Sequence, residues 1–370
     1  MTPLIPQLQA LRFVAAAMVL LSHLQHEVAS VRGLDVAGYV PWQPVFFAGG
    51  VDIFFVISGF IMHTIAAPHF GQPGAARSFF LRRLLRVVPP YWFVTTAMLL
   101  AALLFSGQVA HSQLSLPHVL SSYLFLPFEN PYGKIYPLLI LGWTLNFEMM
   151  FYAVFALGLM FPPRWGLAFI GALIGGLGLV GLVFEPARAP FAFWCNPIVF
   201  EFLMGIALAV CLRRGVRWSP AAGALSIAAG VVAMLWAVQA GVAGHHWAAR
   251  ALWMGLPACL VCAGVVWVRP QGQPGTLMRT LMVGGDASFA LYLSHPFTLT
   301  VVAALWPHTG IAWPAAYVLA GGLASIAVSV GIHRWLEQPG LRRLDRWLHA
   351  GSAKPHRTAP LRALKEPHAH

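Results

Sequence analysis

From its start to about residue 337 the chain alternates long apolar runs with short polar breaks. Ten runs stand out, near 8–27, 45–66, 88–107, 136–160, 165–184, 194–212, 219–240, 247–267, 286–306 and 312–336. Each approaches what a helix rising 1.5 Å per residue needs to cross a hydrocarbon core about 30 Å thick. The pattern predicts an all-α, polytopic transmembrane bundle of about ten helices. A shorter apolar stretch, LPHVLSSYLFLP at 116–127, is too brief to span and reads as interfacial or re-entrant. Beyond residue 338 the periodicity stops and Pro, His, Ala and basic residues take over. One membrane domain over 1–337 and a disordered basic tail over 338–370 are therefore expected.

Composition narrows the class further. Only 9% of residues are charged and mean hydropathy is +0.72, against roughly 25% charged in a soluble domain. A soluble enzyme, a secreted disulfide scaffold and a disordered chain are excluded. The formal charge of +12 is explained by its distribution. The even-numbered loops hold Arg77, Arg82, Arg83, Arg86, Arg164, Arg213, Arg214, Arg217, Arg269 and Arg279, whereas the odd loops hold Arg32, Lys134, Arg188 and Arg250. By the positive-inside rule both termini and the even loops face the cytoplasm. The charge reflects topology, so no nucleic-acid partner is expected and membrane lipids are. Cys259 and Cys262 form a C-x-x-C inside an apolar run with no second pair nearby, which reads as buried helix cysteines. No H-E-x-x-H or other compact ligand set occurs, so no metal site is expected. The first run lacks a basic n-region and an A-x-A site, so it is expected to stay as a helix.

Ionisable groups inside spans each cost at least about 2.5–3.5 kcal/mol unless paired or solvated. This chain carries Arg12 and His23 in the first run, Asp52 in the second, Glu148 in the fourth, Glu201 in the sixth, and Asp286 and His295 in the ninth. A structural pair or a snorkelling side chain is the ordinary explanation, and it suits Glu201 best. Arg12 and His23 differ, because eleven residues are about three turns and roughly 16 Å along one face. One helix thus aims a permanent cation and a titratable imidazole at the same cavity. The depths of His23, Asp52 and Glu148 overlap, and a histidine oriented by a carboxylate is suited to general-base chemistry. Glu27, one turn beyond His23, is a further candidate to orient it. Arg82, Arg83 and Arg86 fall within about one turn before Pro89 and Pro90, and guanidinium forks match phosphate geometry.

These residues sit in six segments whose order and spacing resemble the acyltransferase 3 family of bacterial inner-membrane acyltransferases: LQALRFVAAAMVLLSH, GGVDIFFVISGFIM, RRLLRVVPPYW, LGWTLNFEMMFYAVFA, DASFALYLSHPF and HRWLEQPGLRRL. The similarity covers about residues 6 to 345, and GWTLNFEMMFY is similar to the exopolysaccharide acetyltransferase branch. The resemblance implies a multi-pass inner-membrane enzyme that moves an acetyl or short acyl group from cytosolic acyl-CoA to a glycan or lipid-linked saccharide hydroxyl. Acetyl-CoA is then a donor substrate, no cofactor stays bound, and polysaccharide-assembly proteins are candidate partners. By motif position His23 matches the family's essential histidine and Arg12 the arginine paired with it. Arg82, Arg83 and Arg86 match the donor-binding basic motif, and Glu148 the acidic residue of the motif that Trp143 opens. Asp52 and Ser58 match the second motif, and Tyr292 and His295 the late one. Phe289 departs from the tyrosine the family often has there. Many relatives carry an additional extracytoplasmic hydrolase-like domain, for which 370 residues leave no room.

Two routes are open at this stage. His23 deprotonates the acceptor, with Glu148 or Asp52 orienting its ring, or His23 itself carries the acyl group. The rival from another class is a transporter or flippase of a lipid-linked saccharide, which would also bury charges along a path.

Overall fold

The computed structural model describes residues 6–104, 114–130, 132–243, 250–269, 272–340 and 342–343. All but residues 338–340, 342 and 343 of the expected tail lie outside the described residues. Among the described residues the fold is all-helical, with a single bridge between Trp218 and Val268 and no strand.

The first half comprises α1 (Pro6–Glu27), a short α2 (Pro44–Ala48), α3 (Gly50–Ala66), α4 (Ala75–Leu104), α5 (Leu116–Tyr123), α6 (Gly142–Gly158) and α7 (Pro163–Phe184). The second comprises α8 (Phe191–Trp194), α9 (Val199–Arg213), α10 (Pro220–Gln239), α11 (Leu256–Val266), α12 (Thr276–Asp286), α13 (Ser288–Leu305) and α14 (Pro314–Ile332). Two π turns extend the pattern, Ala251–Gly255 before α11 and His333–Glu337 after α14. Local chemistry sets several starts. The Ser115 and Ser219 hydroxyls accept from the amides of His118 and Ala222, and proline opens α7, α10 and α14.

Among the described residues eight helical segments are long and apolar enough to cross a membrane, and the protein is a polytopic membrane bundle. The fourth and eighth predicted runs are shorter helices. Residues 139–141 are spent on the turns that bond Gly142 and Trp143, leaving α6 with 17 residues. The start of the eighth run, 244–249, lies outside the described residues. α4 begins at Ala75, thirteen residues before the predicted third run, and continues through Pro89 and Pro90. Its arginines therefore ride on a rigid helix. α12 is an element the run pattern did not predict, and it packs on α1. It takes Asp286 as its last residue, so α13 starts after it.

α1, α3 and α9 form the buried centre, while α4, α7, α10 and α14 turn most of their surface outward. Exposed Leu103, Val183, Leu225 and Leu319 suit hydrocarbon contact. Without a hydrophobic drive between helices in lipid, close backbone approach decides association. α3 and α9 achieve it reciprocally. A Cβ on Gly59 would stand 2.1 Å from the Phe202 carbonyl oxygen, and one on Gly205 would stand 2.0 Å from that of Val56. Neither backbone can yield alone, so Gly59→Val is expected to destabilise the bundle by at least the 1–3 kcal/mol typical of overpacking. A lowered Tm in detergent, with Gly171→Val as the open-space control, is the measurement.

Candidate active site

The helical period brings four faces to one cavity. On α3, Phe54, Ser58 and Ile61 recur at i, i+4 and i+7. On α6, Thr144, Glu148 and Tyr152 recur at i, i+4 and i+8. Arg83 and Arg86 on α4 lie three residues apart, and Ser288 and Tyr292 on α13 lie four apart. With Arg12 from α1 they enclose about 120 Å³. A second, wider cavity of about 470 Å³ is lined by Arg82, His69 and Gln72 and shares Arg83 and Arg86 with the first. The two form a vestibule and a channel that meet at the two arginines.

The electrostatics of the channel are one-sided. Arg12, Arg83 and Arg86 face it with Glu148 as the carboxylate. Among the described residues, no carboxylate oxygen lies within 4 Å of any of these guanidinium groups. Arg12 is buried and donates to the Gln9 amide oxygen at 3.0 Å, while the Gln9 amide nitrogen donates to Asp286 at 2.7 Å. Arg83 lies over two rings, 5.6 Å from Phe79 and 5.7 Å from Tyr152. Glu148 accepts from the Tyr152 hydroxyl and, at 3.4 Å, from that of Ser58. Three cations against one hydrogen-bonded carboxylate leave the channel mouth attractive to an anion.

Beyond the channel's far end lies a histidine pair. His23 Nδ1 and His295 Nε2 are 2.7 Å apart, and His295 Nδ1 is 2.9 Å from the Leu291 carbonyl oxygen. A carbonyl only accepts, so His295 Nδ1 carries the proton and, in the neutral ring, its Nε2 is a lone pair. His23 must then donate from Nδ1, which leaves His23 Nε2 as a free base. His295 is 1% exposed and its tautomer is fixed by its own helix, whereas His23 is half-buried. The ring that orients His23 is thus another imidazole. Glu27 accepts instead from the Tyr317 hydroxyl at 3.3 Å.

Asp52 sits apart from both sites, fully buried, with Arg250 donating to it twice, at 3.1 and 2.7 Å. Glu201, also fully buried, packs against Gly255 beside this pair, with its carboxyl group within hydrogen-bond reach of Asp52. The bidentate pair ties α3 to the turn before α11. Removing one partner of a buried pair costs about 3–5 kcal/mol, because the other charge is stranded. Asp52→Ala is therefore expected to lower Tm sharply, and Asp52→Ala with Arg250→Met to recover part of it. A catalytic Asp52 would lose turnover without that recovery.

The structure thus gathers Arg12, Arg83, Arg86, Ser58, Glu148 and Tyr292 on the channel. It leaves Arg82 exposed on the vestibule rim, pairs His23 with His295, and sets Asp52 with Arg250. Trp143 packs edge-on against Phe55 and Phe147, with ring centroids 6.4 and 6.1 Å away. Phe289 lines the channel, so its missing hydroxyl leaves that wall more apolar. Residues the sequence reading passed over are Tyr152, Thr144, Gln9 and Arg250. Tyr152 had a signal, since it stands one turn from Glu148 on the same face. Thr144 and the Tyr292 hydroxyl are 2.8 Å apart and both reach the Leu141 carbonyl.

Known proteins resemble this chain along most of its length. A family model described as an acyltransferase domain matches residues 5–334. The exopolysaccharide production protein ExoZ of Rhizobium meliloti (strain 1021) is 36% identical over 80% of this chain and 90% of its own length. Acyltransferase MdmB of Streptomyces mycarofaciens is 27% identical over 98% of this chain and 96% of its own. The putative peptidoglycan O-acetyltransferase YrhL of Bacillus subtilis (strain 168) is 27% identical over 56% of this chain, which matches 33% of that longer protein. No solved structure matches. With its model matched across nearly the whole helical bundle, the chain belongs to the acyltransferase 3 family of membrane acyltransferases.

Proposed function

We propose that this protein is an inner-membrane O-acyltransferase that moves an acetyl or short acyl group from cytosolic acyl-CoA to a hydroxyl of an exported or lipid-linked glycan. The observation that carries the reading is the histidine pair that lies beyond the far end of a cationic channel. The channel runs along α3 from Met62 to Val51, eleven residues or about 16 Å, a length that suits a pantetheine arm. Arg83 and Arg86 then hold donor phosphates, Arg82 steers them at the rim, and Arg12 lies deeper. The positive-inside count supports placing this mouth at the cytoplasm. The relative named for exopolysaccharide production supports a polysaccharide acceptor, and with it a role beside polysaccharide-assembly proteins.

The chemistry follows from the tautomer. His23 Nε2 takes the proton of the acceptor hydroxyl as its oxygen attacks the thioester carbonyl. The His295 ring accepts from His23 Nδ1 and holds the ring as it becomes an imidazolium. The tetrahedral intermediate collapses, the C–S bond breaks, and the thiolate takes the proton from His23 to leave as coenzyme A. Glu148, held by Tyr152 and Ser58, stands on the channel rather than against His23, so its role in this reading is to position the donor beside Arg83.

The test is coenzyme A release from acetyl-CoA by purified protein in nanodiscs, with and without a glycan fraction, for wild type and His23→Ala. Release that needs both His23 and glycan supports the reading. No release with any acyl-CoA from folded wild type overturns it. Labelled donor without acceptor, followed by quenching, separates the routes: label bound to protein through His23 would replace direct attack by an acyl-histidine relay.

A further inference from the structure

The channel and the histidine pair do not meet. Tyr292 lines the channel, and His295 stands three residues further along α13, about 4.5 Å. On α1 a similar offset recurs: Gly50, at the channel's far end, packs on Val19, four residues before His23. Phe54 reaches both sides of this gap. It lines the channel, packs against the buried cluster that includes Leu20, Leu24 and Leu291, and stands edge-on to Tyr292 with centroids 6.4 Å apart. Tyr292 in turn stands edge-on to His295 at 6.3 Å. The Tyr292 hydroxyl is tied to Thr144 and Leu141, so of the two rings only Phe54 lacks a polar tether.

We propose that Phe54, backed by Tyr292, is the partition that keeps the donor thioester away from His23 until an acceptor hydroxyl is in place, and so selects the acceptor over water. The inference rests on the acyl-CoA reading above. The problem it answers is intrinsic to such a site. A base that activates a sugar hydroxyl activates water equally well, and water attack would yield acetate and coenzyme A by the same proton path. Excluding water until closure is a general means of preventing this loss. His23 is half-buried and His295 buried, so solvent reaches the pair at His23, and in this proposal the acceptor comes to it from the side away from the channel. Donor and acceptor then arrive from opposite ends, and the phenyl ring is the movable element between them. Swinging one Phe rotamer aside is within ordinary side-chain motion. Phe54 belongs to the segment that also carries Asp52 and Ser58.

The experiment measures coenzyme A release from acetyl-CoA without any acceptor, in nanodiscs, for wild type, Phe54→Ala, Phe54→Leu and Phe54→Ala combined with His23→Ala. The expected result is a severalfold rise in acceptor-independent release for Phe54→Ala, a smaller rise for Phe54→Leu, and return to the wild-type level in the double variant. Acceptor-independent release that stays at the wild-type level in folded Phe54→Ala or Phe54→Leu overturns the proposal. So does a leak that persists without His23, because it would then be general solvent access. Should Phe54→Ala fail to fold by size-exclusion chromatography, Phe54→Leu, which keeps an apolar side chain, carries the test. Glycan-dependent release by wild type is measured alongside. Its absence overturns the acyl-CoA reading itself, whereas its presence with no leak in the variants overturns the partition alone.

Discussion

Replacing His23 by alanine is expected to lower kcat by about 10³-fold, within what a positioned general base contributes, while leaving donor affinity unchanged. The ring sits beyond the channel that the arginines and Glu148 line, so nothing that would hold the donor is removed. His295 provides the sharper comparison. Its Nε2 accepts the His23 Nδ1 proton because its own Nδ1 is committed to the Leu291 carbonyl. His295→Ala removes that acceptor, frees the His23 tautomer and is expected to cost roughly 10²-fold in kcat. His295→Gln restores a carbonyl oxygen in reach of Nδ1 and is expected to recover part of the loss. Turnover and KM of the three variants with acetyl-CoA and a glycan fraction decide the matter. Equal losses for His295→Ala and His295→Gln would mean that packing at this position, rather than the hydrogen bond, supports His23.

Much of this site was legible residue by residue, and little of it pair by pair. The Arg12–His23 spacing follows from 3.6 residues per turn and needs no tertiary information. The same period put Glu148 inside a membrane helix. What joins His23 to His295 spans 272 positions, and Arg250 to Asp52 spans 198. No local rule specifies partners at that distance. A carboxylate was expected to orient His23, because carboxylates are the commonest orienters of imidazole. The two nearest in depth had other obligations, Asp52 to a guanidinium and Glu148 to two hydroxyls. Arg250 had been counted as a loop cation, which its place at the start of an apolar run invited.

The polytopic bundle was legible and several helix limits were not, for related reasons. Hydropathy sees apolar length, so α12, with Thr276, Arg279 and Thr280 on an eleven-residue helix, left no run to detect. Its stability comes from packing on α1, where Gly285 lets the Gln9 backbone approach. The third run was placed from residue 88, at Pro89 and Pro90, each of which removes an amide donor. The helix nevertheless extends on both sides of them, and this carries the arginines from a loop onto a scaffold that fixes their direction.

That placement sets the second large effect, which separates three arginines that sequence treats alike. Arg83 and Arg86 line both the vestibule and the channel, whereas Arg82 is exposed and lines the vestibule alone. A charge-assisted hydrogen bond contributes about 1.5–3 kcal/mol, so Arg83→Ala with Arg86→Ala is expected to raise the donor Kd by at least about 100-fold. The predicted loss lies in binding, since neither group reaches the histidine pair. Arg82→Ala removes only an exposed rim charge, and such charges act mainly on association rate and salt dependence. It is expected to change affinity a few-fold at low ionic strength and hardly at all at high salt. Titration of acetyl-CoA by calorimetry in nanodiscs, at low and high salt, separates the two classes. Dephospho-coenzyme A thioester adds a second axis: if Arg83 and Arg86 hold the donor through its diphosphate, the double variant loses the same factor with either donor. A factor that shrinks for the dephospho donor would instead assign these guanidinium groups to the 3′-phosphate. Unchanged affinity in the double variant would remove the arginines from the donor site and leave the channel's charge without a ligand to explain it.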